Sequence, residues 1–290
     1  MNDGSRSIPV FERAVIAVTF SPRLIAVLNT ARFLLKKINT NSIIVHAGEE
    51  SPAIRVRLKD AIDQSDFKTH TPEFVFESGH VSDAIIRTAE KYGADLIVAG
   101  ANAKENLLRY YLGSIARRLI RYVPCSLLLL THPRRHPVAL KRIHCTVDFH
   151  KADDKAVEAA CYFADSFNAE LYFTHSFILP DWDETINDTK VQFYQKVYRS
   201  KEKQLDSYLK EKGVRRSYSA RCVAQNWSGT VLKYSQEIGA NLIVMSDVNI
   251  SKGLLGHIMP KSSDVPLTDL PCSLLLIRDA DYFRNDLTDK

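Results

Sequence analysis

The chain has 290 residues, of which 45% are hydrophobic and 25% are charged, and its formal net charge is +5. These ordinary globular values exclude a disordered chain, a collagen-like repeat and a coiled coil. No apolar run approaches the ~18 residues of a membrane-spanning helix, and the start of the chain lacks the pattern of a secretory signal or a transit peptide. We therefore expect a soluble, cytoplasmic protein with two domains, each large enough to bury its own core.

Cysteine content and charge exclude further classes of protein. The five cysteines are an odd number without a C-x-x-C pair, so we expect buried, reduced thiols rather than disulfides or a zinc site. Residues 1–136 contain 19 Lys and Arg against 13 Asp and Glu. Such an excess suits an anionic ligand if it is focused at a site, but it lacks the aromatic interleaving of a nucleic-acid interface. We do not expect a nucleic-acid partner.

The chain consists of two copies of one sequence repeat. The second copy carries about 17 extra residues between its second and third strands, and a long period that occurs only twice indicates duplicated domains. We place the domains at residues 1–136 and 137–290, because two prolines interrupt the pattern between them. The matching segments are GADLIVAG (93–100) with GANLIVMS (239–246), PCSLLLL (124–130) with PCSLLLI (271–277), AVTFS (17–21) with TVDFH (146–150), and His46 with His175.

Short β-branched runs alternate with stretches of 3.6-residue periodicity, which is typical of a parallel sheet with helices on both faces. The predicted fold class is α/β, with two tandem doubly wound five-stranded parallel-sheet domains. Ser21 and Pro22 are predicted as the N-cap and first residue of the first helix, and the insertion extends the second helix of copy two through 190–212. Ligands bind such sheets where the strand order reverses, here after the first and fourth strands. In the first copy the predicted strands are 15–20, 42–47, 73–77, 95–100 and 126–131.

The loop after the fourth strand runs from Gly100 to Gly113-Ser114 and leads into a predicted helix. It resembles the nucleotide loop of the universal stress protein family, G-x2-G-x9-G-[ST], with Ala103 in place of the second glycine. The V-T-F-S and V-D-F-H strand ends and the P-C-S-L-L-L strands match as well, so the resemblance covers almost the entire chain. It implies tandem domains of the UspA type, with the fold of the adenine nucleotide alpha hydrolase-like proteins.

The residue types of this loop suit an anionic ligand, independently of the family resemblance. A glycine at the strand exit lets the backbone approach a ligand closely, and a helix start presents free amides to an anion, while Lys104 adds a charge, with Arg109 within reach. The plainer alternative is that Gly100 and Gly113 only serve tight turns. The candidate nucleotide-binding residues are Thr19, Gly100, Asn102, Ala103, Lys104, Gly113 and Ser114. For three helix arginines, Arg117, Arg118 and Arg121, we favour a solvated helix face.

The two copies differ at both ends of the implied site. Nucleotide-binding family members carry an aspartate at the end of the first strand, where copy one has Thr19, whose hydroxyl supplies neither the charge nor paired acceptors. Copy two keeps Asp148, but its loop has no glycine at the three aligned places. Pro260 removes an amide donor there, and Asp247 puts a negative charge where phosphates would lie. We expect no nucleotide in copy two.

Copy two also gathers polar and aromatic groups. Asp148, His150 and His175 follow two strands that should be neighbours, and could bind a metal or exchange a proton. Because the usual metal-ligand spacings are absent, we predict no metal. Four aromatic residues, Phe193, Tyr194, Tyr198 and Tyr208, recur along the inserted helix. They indicate packing on the sheet, or an oligomer or ligand surface if they are exposed.

The resemblance therefore implies a tandem universal stress protein, a non-enzymatic cytoplasmic adaptor of the stress response. Its nucleotide site would be partly degraded in domain 1 and absent from domain 2, with ATP or another adenine nucleotide as the ligand. We expect the domains to pair through their apolar last strands, and a further homodimer is compatible with the sequence. The alternative function is an ATP-binding switch or weak ATPase that uses the domain 1 loop.

Overall fold

The computed structural model describes residues 10–69, 72–101, 113–178, 188–225, 229–247 and 270–278. The chain divides into two compact units. The first contains residues up to Gly100 and Ser114–Val138, and the second contains the residues from Ala139 onward together with Ala101 and Gly113. Each unit is an α/β domain built on a parallel sheet. Our finer boundary between residues 136 and 137 stays a prediction.

The first unit has the strand order β3-β2-β1-β4-β5, and all of its strand pairs are parallel. The order reverses between β1 and β4, so the doubly wound topology expected from the sequence is confirmed. The elements are β1 (Arg13–Val18), α1 (Leu24–Lys37), β2 (Asn41–Ala47), α2 (Pro52–Asp63), a 3-10 turn (Asp66–Thr69), β3 (Glu73–Glu77), α3 (Val81–Lys91), β4 (Leu96–Gly100), α4 (Ser114–Tyr122) and β5 (Ser126–Leu130).

The second unit repeats this plan, with the strand order β10-β9-β6-β7-β8 and parallel pairs throughout. Its helix α6 accounts for most of the inserted residues, as predicted. No helix in the described part of the chain is both long and apolar enough to span a membrane. The elements are β6 (Arg142–Thr146), α5 (Lys151–Phe167), β7 (Glu170–Ile178), α6 (Asp188–Glu211), β8 (Tyr218–Gln225), α7 (Gly229–Glu237), β9 (Leu242–Ser246) and β10 (Ser273–Ile277).

The central strands are continuous apolar runs because helices cover both faces of a doubly wound sheet. Every residue of β5 is buried, and the apolar face of α1 packs on the first sheet through Leu28, Ala31 and Leu35. All five cysteines are free thiols, as expected, and four of them are buried, whereas Cys161 is partly exposed.

The start of α1 corrects one prediction. The helix begins at Leu24 with Arg23 as its N-cap, so the assignment of Ser21 as N-cap and Pro22 as first helical residue was wrong. The Ser21 amide donates to the Thr19 carbonyl at 2.8 Å, and the Leu24 amide donates to the Ser21 carbonyl at 3.0 Å. These bonds form a separate turn, which ends β1 at Val18 and delays the helix.

Candidate functional site

The crevice of the first unit lies at the carboxyl edge of its sheet, where the strand order reverses. Ala17 of β1 pairs with Ala99 of β4, so Thr19 and Gly100 lie at the same edge. Helix α4 runs back to the amino edge, where β5 begins, and so its start at Ser114 faces this crevice. Thr19, Gly100 and Ser114 are all exposed, and Gly113 is half-buried.

The other predicted loop residues, Asn102, Ala103 and Lys104, lie outside the described residues, as does Arg109. On α4, the exposed side chain of Arg118 forms an ion pair with Asp83 at 2.9 Å. Arg121 is exposed too, which agrees with a solvated helix face. The nucleotide-binding role of the loop stays a prediction.

Gly100 has a packing role that the sequence does not reveal. A Cβ atom there would lie 3.0 Å from Cγ2 of Val27 on α1, which is closer than carbon atoms usually pack. The missing side chain therefore lets the helix approach the end of β4 at this distance. In the second unit the repeat places Ser246 and Ala156 at these two positions, so a larger strand residue faces a smaller helix residue.

An aromatic cluster adjoins Thr19 in the first unit. Nδ1 of His46 lies 3.3 Å from the Val18 carbonyl oxygen, and the ring centroids of Phe20 and His46 are 4.8 Å apart. The guanidinium of Arg57 lies 4.2 Å from the centroid of the Phe20 ring. A cation and an aromatic ring therefore stand next to the position where family members carry an aspartate, and the sequence analysis missed both.

The second unit repeats this arrangement at equivalent residues. Nδ1 of His175 lies 2.9 Å from the Val147 carbonyl oxygen, and the ring centroids of Phe149 and His175 are 4.2 Å apart. Oδ1 of Asp148 lies 3.6 Å from Nδ1 of His175, so the structure brings these two predicted residues together. His150 instead forms the N-cap of α5. Among the described residues, no three His, Cys, Asp or Glu side chains converge as a metal site would require.

Sequence reasoning missed the carboxylate of Asp153, because its contact with Ser246 spans 93 residues of the chain. It is fully buried, and it accepts hydrogen bonds from the Asp148 amide at 2.8 Å, the His150 amide at 3.0 Å and the Ser246 hydroxyl at 2.6 Å. Burial raises the pKa of Asp153. These bonds hold the turn after β6 against the end of β9. Leu24 takes the place of Asp153 in the first copy.

A buried ion pair occupies the adjoining part of the same edge. Nε of Arg278 lies 3.1 Å from Oδ2 of Asp247, and their side chains are only 4% and 9% exposed. Our expectation that Asp247 presents a repelling charge to phosphates needs correction, because the arginine neutralises it. The first copy has Ala101 and Thr131 at these two positions.

The aromatic residues of α6 serve mainly for packing. Tyr194 is 9% exposed, and the Tyr198 ring lies 5.0 Å from that of Phe177. The Tyr208 hydroxyl donates to Asp154 at 2.7 Å, and the Tyr208 ring lies 5.4 Å from that of Phe149. Of the four, only Phe193 is exposed. The packing interpretation is confirmed for Tyr194, and α6 covers the aromatic cluster beside Asp148.

Comparisons with known proteins agree with this repeat of the fold. The universal stress protein family model matches residues 11–131 and 139–278, and the chain therefore belongs to the universal stress protein family, with two tandem copies of its domain.

One curated relative is a universal stress protein of Methanocaldococcus jannaschii, which is 33% identical over 87 residues, or 30% of this chain and 49% of the relative. The match therefore spans about half of that relative's length. A solved structure of a putative universal stress protein from Pseudomonas aeruginosa UCBPP-PA14 is 15% identical with a TM-score of 0.71, covering 97% of this chain and 98% of the other. A universal stress protein from Archaeoglobus fulgidus is 15% identical with a TM-score of 0.60, covering 94% and 98%. At these identities the structures show the fold.

Proposed function

We propose that this tandem universal stress protein is a cytoplasmic, ligand-binding adaptor that holds an adenine nucleotide in its first unit only. The nucleotide lies in the crevice between the ends of β1 and β4. The second unit keeps the frame of the site without binding nucleotide. The protein holds the nucleotide rather than hydrolysing it.

The contrast between the two carboxyl edges carries this proposal. In the second unit, buried side chains of the protein itself occupy the edge: Asp153 bonded to Ser246, and Asp247 paired with Arg278. In the first unit, Thr19 and Gly100 are exposed at the equivalent edge. A ligand entering the second unit would have to displace a buried ion pair, and breaking such a pair costs several kcal/mol.

The groups at the open edge suit the two ends of a nucleotide. The N-terminus of α4 presents unpaired amides and the positive end of the helix dipole to phosphate oxygens. At the other end, the Thr19 hydroxyl can donate or accept one hydrogen bond to the base or ribose, and the adjoining Phe20 offers a ring for stacking. An ATP-binding switch or weak ATPase is the alternative.

A thermal-shift experiment with ATP tests the proposal. We expect ATP to raise the melting temperature of the full chain, and Gly113→Val to abolish the shift by crowding the start of α4. Pro260→Gly, at the position that the repeat makes equivalent in the second copy, is the matched control and should leave the shift unchanged. If the shift survived Gly113→Val and disappeared in the control, the nucleotide would bind the second unit, and the proposal would be wrong.

A further inference from the structure

The last strand of the second sheet, β8, has one open edge in the described part of the chain. Its inner edge pairs with β7 along its whole length, from Leu171 with Tyr218 to Ile178 with Gln225. Ser219, Ala220 and Arg221 are exposed. An open strand edge presents a row of amide and carbonyl groups that another chain can pair with.

A groove of about 530 Å³ runs beside this edge, between α6 and β8. Cys222 and Val223, which are 3% and 7% exposed, line it from β8. Residues of both elements line it. The lining residues are Gln195, Tyr198, Arg199 and Glu202 of α6 and Arg221, Cys222, Val223 and Ala224 of β8.

Two guanidinium groups stand on opposite sides of the strand. Arg221 points toward α7, where its guanidinium lies 5.4 Å from the centroid of the Tyr234 ring, whereas Arg199 reaches the groove from α6. Neither arginine has an ion-pair partner among the residues that the structure describes. One lining residue, Glu202, is acidic, so the two arginines outnumber the carboxylates among the lining residues.

We propose that β8 binds an extended acidic peptide of a partner protein as an added strand, with two consecutive carboxylates as its anchor. Successive side chains of a strand point to opposite faces, so neighbouring acidic residues would reach Arg221 on one face and Arg199 on the other. Backbone hydrogen bonds to the strand edge supply affinity, and the two charge-assisted bonds supply specificity.

The charges also argue against a second copy of this chain as the occupant. Two copies joined through β8 would bring the arginines that flank both strands together, and like charges across an interface disfavour association. An acidic partner is complementary to these arginines. This proposal rests on the second unit alone and is independent of nucleotide binding.

Fluorescence anisotropy of the full chain with labelled peptides tests the proposal. The probe is a hexapeptide with a central Glu-Glu pair flanked by valine and threonine, and the comparison peptides carry Lys-Lys or a Glu-Gly-Glu spacing. We expect the Glu-Glu peptide to bind, the spaced peptide to bind about fivefold more weakly, and the Lys-Lys peptide not to bind. Arg199→Gln and Arg221→Gln should each weaken binding by about fivefold.

The control variant is Arg215→Gln, which removes an exposed arginine that precedes β8 and does not line the groove. It should leave the affinity unchanged. N-methylation of alternate peptide bonds should abolish binding, because a methylated amide cannot pair with the strand. Equal binding of the methylated peptide, of the Lys-Lys peptide or to both groove variants would overturn the proposal. So would association of the protein with itself that is lost in the groove variants.

Discussion

The close approach of α1 to β4 makes a quantitative prediction. Replacing Gly100 by serine puts a Cβ atom 3.0 Å from Cγ2 of Val27, and overpacking of this kind costs about 1–3 kcal/mol. Val27→Ala alone should cost about 2 kcal/mol through lost burial. The double variant recreates the pairing of Ser246 with Ala156 in the second copy. Its loss of stability should therefore be about 1 kcal/mol smaller than the sum of the losses in the two single variants.

Amide hydrogen exchange is the suitable assay, because the free energy of opening measured at β1 and β4 amides reports the first unit alone. Single-transition unfolding is unsuitable for a chain of two units. Gly100→Ser paired with a substitution far from it, such as Leu58→Ala in α2, is the control and should be additive. Additivity of Gly100→Ser and Val27→Ala within about 0.3 kcal/mol would refute the packing account of Gly100.

Three further predictions concern the two sites and the core. Thr19→Asp should raise ATP affinity by about tenfold, or about 1.4 kcal/mol, and Ala103→Gly by less, because a hydrogen bond to a charged group is the stronger one; isothermal titration in which only Ala103→Gly gains affinity would place the defect in the loop. Burial lowers the pKa of His144, in β6, to about 3. Between that value and pH ~6.5 the unfolded chain therefore binds a proton that the folded chain does not. The free energy of unfolding of the second unit should fall by about 3 kcal/mol from pH 7.5 to 4. His144→Gln should flatten that loss in hydrogen exchange at second-unit amides, and an unchanged pH dependence would contradict the assignment. Asp153→Ala removes three hydrogen bonds and should lower second-unit stability by about 3 kcal/mol without changing the ATP response of the first unit; a lost thermal shift would show that this separation of the units is wrong.

Much of the fold could be predicted because the same strand and helix pattern occurs in both copies of the repeat. The repeat of GADLIVAG and PCSLLLL at similar offsets identifies equivalent strands, and continuous apolar runs are typical of strands covered on both faces. The start of α1 could not be predicted from the usual signal of serine followed by proline. Its competing turn depends on a backbone bond to Thr19, which is invisible in residue types.

The position of the crevice could be predicted from the sequence, whereas the side chains that fill the second crevice could not. Strand order places the crevice after β1 and β4, and the structure brings Thr19 and Gly100 there. What fills the second crevice depends on contacts between residues about 30 and 90 positions apart in sequence, such as Arg278 with Asp247 and Ser246 with Asp153. Spacing along one chain, without an alignment, does not identify pairs of this kind.

The central claim is that one unit of the pair is open to nucleotide and the other is closed by its own side chains. Native mass spectrometry of the full chain with ATP tests it most directly, because the bound mass counts ligands per chain. We predict one nucleotide per chain in the unaltered protein and in Pro260→Gly, and none in Gly113→Val. Two nucleotides per chain, or one that persists in Gly113→Val, would contradict the account.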